Sequence, residues 1–274
     1  MTALATYAHV RDLAVNLTLR ELKGKYKRSV LGWSWSLLNP LATALIFTMV
    51  FKVFFQAQTP PGQPSGLSNF PLWLLCGLLP WNYLANSLNG ATESLVANGN
   101  LIKKVYFPRQ VLVLANVASW MVPLLIEVGV LAALLLAFGN FVLPWLPMVL
   151  VLILLQSGFV VGIGLVLGAA NVYFRDVKHL IGILLQAFFY ATPIVYPLSL
   201  VPERVELLGL DVAVRSLYQL NPMVPMVEAY RDVLYDLRFP PVGDLAYVAA
   251  WGAGCLAVGL LVFSRLEPRL AEEL

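Results

Sequence analysis

In a chain this apolar, chemistry has to be carried by a few ionisable side chains, and here they are sparse. Glu127 is the only charged residue between Arg109 and Arg175. An acid in such surroundings is costly to bury unless it is paired, hydrated or neutral, so it marks a functional hypothesis by default. A proton relay would need a partner at similar depth, and the sequence offers none. A neutral Glu127 hydrogen-bonded to a neighbouring helix is the expectation. Cys76 and Cys255 each sit in an apolar run with no C-x-x-C pairing, and His9 and His179 are the only imidazoles. Neither a disulfide framework nor a metal site is supported. No G-x-x-x-x-G-K-[ST] phosphate loop occurs, so energy from nucleotide hydrolysis would have to come from a partner. No catalytic residue and no cofactor is assigned to this chain.

Aromatic residues are the other distinctive set. Phe47, Phe51 and Phe54 fall four and three residues apart, and Phe188, Phe189, Tyr190 and Tyr196 crowd a second stretch. A lipid-facing stripe or plain helix packing would use such residues. Facing a cavity, the same stripe would stack against the C–H faces of sugar rings without gripping them.

The elements that must position these residues follow from composition. Of 274 residues, 59% are hydrophobic and 12% charged, whereas a soluble domain carries roughly a quarter charged residues. The chain therefore reads as an all-α integral membrane protein, with no nucleic-acid partner. Crossing the hydrocarbon takes roughly 20 apolar residues. Six segments meet or approach this: Leu37 to Phe55, Leu72 to Leu88, Val111 to Phe138, Leu146 to Ala170, Leu180 to Tyr196 and Leu245 to Phe263. With the N-terminus in the cytosol, thirteen Lys and Arg residues face inward, and the outer side keeps only Arg204, Arg215, Arg231 and Arg238. The positive-inside rule favours that orientation, with both termini cytosolic. Lys52, near the outer end of the first segment, can snorkel to the headgroups.

Residues 1–30 lack the pattern of a cleaved signal. Val10, Leu13 and Leu17 recur at helical spacing while Arg11, Asp12 and Arg20 lie elsewhere on the wheel, which predicts an amphipathic interfacial helix. The organisation is one transmembrane domain: this helix, a six-span bundle over 37–263, an outer segment over 197–243 and a cytosolic tail over 264–274. The Pro- and Gly-rich loop 57–66 predicts an exposed connection. In the outer segment Leu207, Leu208, Leu210, Val212 and Val214 alternate with charges, and Asn221, Pro222 and Pro225 predict breaks between short helices. Those helices either dip into the membrane, as re-entrant elements do beside a pathway, or form a small external cap. Gly158, Gly162, Gly164 and Gly168 form two small-xxx-small pairs suited to close helix packing. Pro71, Pro80, Pro123 and Pro193 are expected to kink their helices.

Four pieces in order carry a family resemblance: LRELKGKYKRSVLGWSWSLLNPL from Leu19, IKKVYFPRQ from Ile102, NVYFRDVKHL from Asn171 and NPMVPMVEAYRDVLY from Asn221. Together they resemble the permeases of ATP-binding cassette transporters that export polysaccharides, such as O-antigen and teichoic acid. The resemblance implies a bacterial inner-membrane half-transporter, not an enzyme, in which two copies pair with two ATP-binding subunits that hold ATP and Mg. Its cargo would be a lipid-linked polysaccharide; a drug or lipid is the alternative. It also implies that Leu101, Lys103, Lys104, Tyr106 and Arg109, with Arg175 and Asp176, touch the ATP-binding subunit. The first and fifth spans would line the pathway, through Phe47, Phe51, Phe54, Phe188, Tyr190 and Tyr196. Arg20, Lys23, Lys25, Lys27 and Arg28 would meet the carrier's pyrophosphate or anchor the helix at the membrane lipids.

Overall fold

Proline and polar punctuation cut the apolar sequence into helices, and one of them becomes the centre of the bundle. The computed structural model describes residues 3–25, 27, 29–56, 59, 61–207 and 210–274. Helix α1 covers Ala3–Lys25. Helix α2 spans Trp35–Phe47 and continues as a π-helical stretch over Thr48–Phe54. Asn69 caps α3, Phe70–Ala97, by accepting a hydrogen bond from the Leu72 amide. Pro71 lies in the first turn of α3, where its missing N–H costs nothing. It therefore starts that helix instead of kinking it, and Pro40, not anticipated, sits inside α2.

After the short α4, Gly99–Lys104, come the long α5, Gln110–Ala137, and α6, Leu146–Tyr173. Helix α7, Val177–Tyr190, has 14 residues and stops six short of the expected Tyr196. Pro193 causes this: it donates no N–H and disfavours a helical residue before it. It terminates a helix and kinks none.

The outer segment departs from purely helical structure in one place, a three-residue antiparallel ladder between β1, Val205–Leu207, and β2, Leu210–Val212. Leu208 lies outside the described residues. Helices α8, Val214–Gln219, and α9, Met223–Arg231, follow. Asn221 and Pro222 separate them as expected. Pro225 does not break α9; it sits in the first turn, again where no donor is needed. A π-helical turn, Asp232–Asp236, leads to α10, Val242–Leu266, and the short α11, Leu270–Glu273.

By length and composition four helical stretches can cross a membrane: Gly32–Phe54, Gln110–Ala137, Leu143–Tyr173 and Val242–Arg269. Helix α3 is long enough, but Asn82, Asn86 and Asn89 lower its hydropathy. Every residue from Leu72 to Trp81 is buried, because α2, α5, α6, α7 and α9 all pack on α3.

The small residues of α6 serve two different neighbours. A Cβ on Gly162 would overlap the Cys255 backbone of α10, while one on Gly164 would lie 2.9 Å from the Ala91 Cβ of α3. Gly259 completes the first contact from the α10 side, where its own Cβ would strike the Gly162 carbonyl. Helix α10 accordingly buries a single stripe: Val248, Gly252, Gly259 and Phe263.

The broken end of α7 is repaired from α9. Arg231 is 2% exposed. Its Nη1 donates to the Pro193 carbonyl at 2.8 Å and to Glu228 Oε1 at 2.7 Å, and its Nη2 donates to the Ile194 carbonyl at 2.7 Å. Asn221 Nδ2 donates to the Ala191 carbonyl at 3.1 Å and to Thr192 Oγ1 at 3.0 Å. These acceptors belong to the turn just beyond the helix end, where no further helical turn would meet its carbonyls. The loop expected to be free is held as well. Its Ala57, Gln58 and Pro60 lie outside the described residues, but Ser65 N donates to the Asp236 carbonyl at 3.1 Å and Gln63 N to Asp236 Oδ1 at 3.2 Å. The outer turn competes successfully for those loop amides.

Arg231→Ala strands two carbonyls and the Glu228 carboxylate, at about 3 to 5 kcal/mol. Gly162→Leu forces α6 from α10, at about 1 to 3 kcal/mol. Thermal melting of the purified chain in detergent is expected to rank wild type above Gly162→Leu and that above Arg231→Ala.

Candidate functional site

The aromatic residues form one connected group where α2 and α7 meet α3. Phe47 stacks on Phe189 with centroids 6.1 Å apart, and Phe51 follows Phe47 at 6.0 Å. Trp81 of α3 closes the group, 5.9 Å from Phe188 and 5.5 Å from Phe189. The widened π-turn aligns residues four apart, so Phe51 next meets Phe55 at 6.0 Å. Phe54 and Phe55 are both mostly exposed, at 68% and 73%. Tyr190 is mostly exposed, though its ring edge touches Phe189 at 5.2 Å. The Tyr196 hydroxyl donates to the Tyr190 carbonyl at 2.5 Å and lies 3.0 Å from that of Tyr218.

Sequence reasoning missed Trp81 and Phe189 as connectors. Trp81 lies in the apolar run of a helix given no pathway role, and Phe189 is one of three adjacent aromatics with nothing to rank them. The group continues through Phe70, 6.5 Å from Phe51, to Trp73, 5.8 Å beyond. There the Arg231 guanidinium stacks 3.6 Å above the indole. Trp73, Glu228, Arg231, Tyr235 and Arg238 line a cavity of about 280 Å³ at this end. Asp232 is buried and accepts from Arg238 Nε at 2.7 Å, which balances its charge.

At the opposite end of α3, α4 presents Lys103, Lys104 and a fully exposed Tyr106, while Leu101 is half-buried. Arg175 and Asp176 are exposed in the α6–α7 turn. Arg175 shares a cavity of about 250 Å³ with Glu93, Val96, Ala97, Asn171 and Lys178. Lys178 Nζ sits 3.5 Å from Glu93, tying α7 to the end of α3. Arg109 is engaged internally: its amide donates to Glu267 Oε1 at 2.9 Å and its Nη1 to the Glu267 carbonyl. The chain's C-terminal segment thus packs under the α4 connection.

Helix α1 lies along α5. Arg20 donates to Asn98 Oδ1, and Lys23 and Lys27 are exposed. Arg28 lies outside the described residues. Lys25 Nζ sits 2.8 Å from the centroid of the Trp120 ring. Burial pushes its pKa down to about 6, against the opposing pull of the Glu21 charge. Glu127 does not bond a neighbouring helix as expected; it has no hydrogen-bond partner among the described residues and faces a niche between α2, α3 and α5. Among the described residues, no three His, Cys, Asp or Glu side chains group as metal ligands.

The arrangement has a ring-lined side and a charged, exposed end, and comparison with known proteins gives it a context. The ABC-2 type transporter family matches residues 13–235, most of the chain. An O-antigen export system permease protein, RfbA, of Myxococcus xanthus is 31% identical over 96% of this chain and 96% of its own length. A Klebsiella pneumoniae protein of the same name is 32% identical over 95% of this chain and 94% of its own. The polysialic acid transport protein KpsM of Escherichia coli is 26% identical over 92% of each. The match begins within α1 and ends in the π-helical turn after α9, so it takes in the ring group, the α4 connection and the Arg231 junction together. This chain belongs to the ABC-2 type transporter family and is the multi-pass membrane permease component of a transporter whose ATP-binding part lies elsewhere.

Proposed function

We propose that this permease exports a lipid-linked polysaccharide from the cytosolic to the outer side of a bacterial inner membrane. Two copies act with two ATP-binding subunits that bind ATP and Mg. The relatives' names point to glycan cargo, and the connected ring group along α2, α3 and α7 is the observation that carries the reading. Rings about 6 Å apart give a sugar chain successive faces to slide over. A moving polymer needs many weak sites and no strong one. Phe47, Phe51, Phe188 and Phe189 form this track, backed by the buried Trp81. Tyr190 and Phe54 turn outward toward the surface that a second copy would cover, and Tyr196 steadies the end of α7.

Six crossings follow if α2, α3, α5, α6, α7 and α10 each span the membrane. At 1.5 Å per residue the 14 residues of α7 reach roughly 21 Å, short of the roughly 30 Å hydrocarbon core. The Ala191–Tyr196 turn and the dipping α8–α9 pair make up the remainder. The repair of those freed carbonyls by Arg231 and Asn221 supports re-entrant placement over an external cap, since only buried backbone needs it. Basic residues on α1, α4 and the α6–α7 turn put both termini in the cytosol. The basic side chains of α1 lie at the cytosolic surface, where they serve either the carrier's pyrophosphate or anionic lipid.

Lys103, Lys104, Tyr106, Arg175 and Asp176 form the contact with the ATP-binding subunit. Leu101 and Arg109 hold that surface from behind, through the α4 packing and the Glu267 bonds.

Two outcomes are expected. Phe47→Ala with Phe189→Ala removes ring contacts worth about 1 kcal/mol each. Surface glycan should drop several-fold while the complex still co-purifies; undiminished export would refute the track, and a cell that exports normal glycan without this chain would redirect the cargo to a drug or lipid. Lys103→Glu with Lys104→Glu opposes a complementary surface and should lower recovery of the ATP-binding subunit about tenfold. Pull-down from solubilised membranes measures it.

A further inference from the structure

The niche that Glu127 faces, between α2, α3 and α5, is not explained by packing. It holds about 170 Å³ and is walled by Trp35 and Trp120, with Asn39, Asn82, Asn86 and Glu127 on its edges. The side chains of these three asparagines and of Glu127 have no hydrogen-bond partner among the described residues. Four polar side chains gathered on one niche of a membrane bundle, half-buried or open to its surroundings, favour a polar occupant over lipid tails. Trp35, Asn39 and Asn86 are exposed, so the niche opens to its surroundings.

The lining selects the occupant. No Lys or Arg borders the space, so a phosphate would find no counter-charge. A bare cation would leave most of the volume empty, since one water takes about 30 Å³ and the niche accommodates several. Carboxamides and a carboxyl offer donors and acceptors to neighbouring hydroxyls. Indole faces suit an apolar C–H surface.

We propose that this niche is a binding site for a single uncharged sugar ring. The ring belongs either to the glycan being handed over or to a glycolipid of the surrounding membrane. Only the first source rests on the export reading; the site does not.

The test uses the full-length permease with its ATP-binding partner in nanodiscs of phosphatidylethanolamine and phosphatidylglycerol, free of sugar-headed detergent. Octyl β-glucoside, below its micelle concentration, is the probe. Saturation-transfer NMR is expected to show saturable transfer to its ring C–H protons. Trp35→Ala and Asn82→Ala with Asn86→Ala should each weaken binding about tenfold. Glu127→Gln, which keeps the hydrogen bonds, should bind nearly as wild type. Octylphosphocholine, matched in tail, should not compete.

Unchanged binding in the variants at unaltered melting temperature, equal competition by octylphosphocholine, or no saturable transfer at all would overturn the site. Loss of binding on Glu127→Gln would also overturn it, in favour of a cation. With the site upheld, competition by purified lipid-linked glycan assigns it to cargo, and competition by a diglucosyl diacylglycerol alone assigns it to a membrane glycolipid. The readout needs neither ATP nor export, so its failure leaves the permease reading standing, and failed export with intact binding does the reverse.

Discussion

The guanidinium of Arg231 is the interaction on which the end of the bundle around α9 depends. A chain that stops a helix inside an apolar environment leaves carbonyls with no water to satisfy them, and the cost of each favours refolding the break away. Here α7 stops at Tyr190, and Arg231 meets both the Pro193 and Ile194 carbonyls with its two terminal nitrogens. A planar fork can do this where a lysine's point charge cannot. The charge is in turn shared between Glu228 and the Trp73 face. One side chain therefore joins α9, the end of α7 and the wall of α3. The Asp232–Arg238 pair and the Asn140 bonds to the Leu234 and Tyr235 carbonyls, at 3.0 and 3.1 Å, fix the turn that presents it.

Packing on the other side follows a different rule. Lipid provides no hydrophobic drive for helix association, so close approach of small residues and a few buried polar bonds must do the work. Gly162 against Cys255 and Gly164 against Ala91 lock α6 between α10 and α3. Gln156 Nε2 donates to the Pro80 carbonyl at 2.7 Å and Asn171 Nδ2 to the Thr92 carbonyl at 2.9 Å, which pins α6 to α3 at two levels. Among the described residues helices α2 and α7 have no buried polar bond of this kind along their length; α7 is tied only by the exposed Lys178–Glu93 pair and at its end by Arg231 and Asn221. Helix α7 buries only Ile181 and Leu185, and α2 leaves Leu45, Ile46 and Met49 more than half exposed. The molecule thus divides into a rigid α3–α5–α6–α10 body and a lightly held pair that carries the ring group. The lightly held pair can move without unpacking the body.

The sequence made much of this legible, and its gaps are physically specific. Apolar length gave α2, α5, α6 and α10, and the Gly spacing in α6 forecast close packing without naming its two partners. Periodicity places residues on a face of one helix but says nothing of which helix that face meets, so Trp81 could not be recognised as the hub of the ring group. A π-helical stretch after α2 changed the angular step, which is why the ring that meets Phe51 is that of Phe55. Arg231 read as one of four outer basic residues, because its role rests on carbonyls that come from a break 38 residues earlier in the chain.

What the sequence determined by itself was the solvent and the family: composition set lipid as the environment, Lys and Arg placement argued the orientation, and four motifs in order named the relatives. Those properties are sums or local patterns, so no contact is needed to compute them. The tertiary structure decided which polar groups are satisfied and which are not. Arg109 is bound to the C-terminal segment, the 62–66 loop is held by Asp236, and Glu127 is left facing an open niche. Satisfaction is a property of pairs, and the partner of a given side chain is fixed only when distant segments have been brought together.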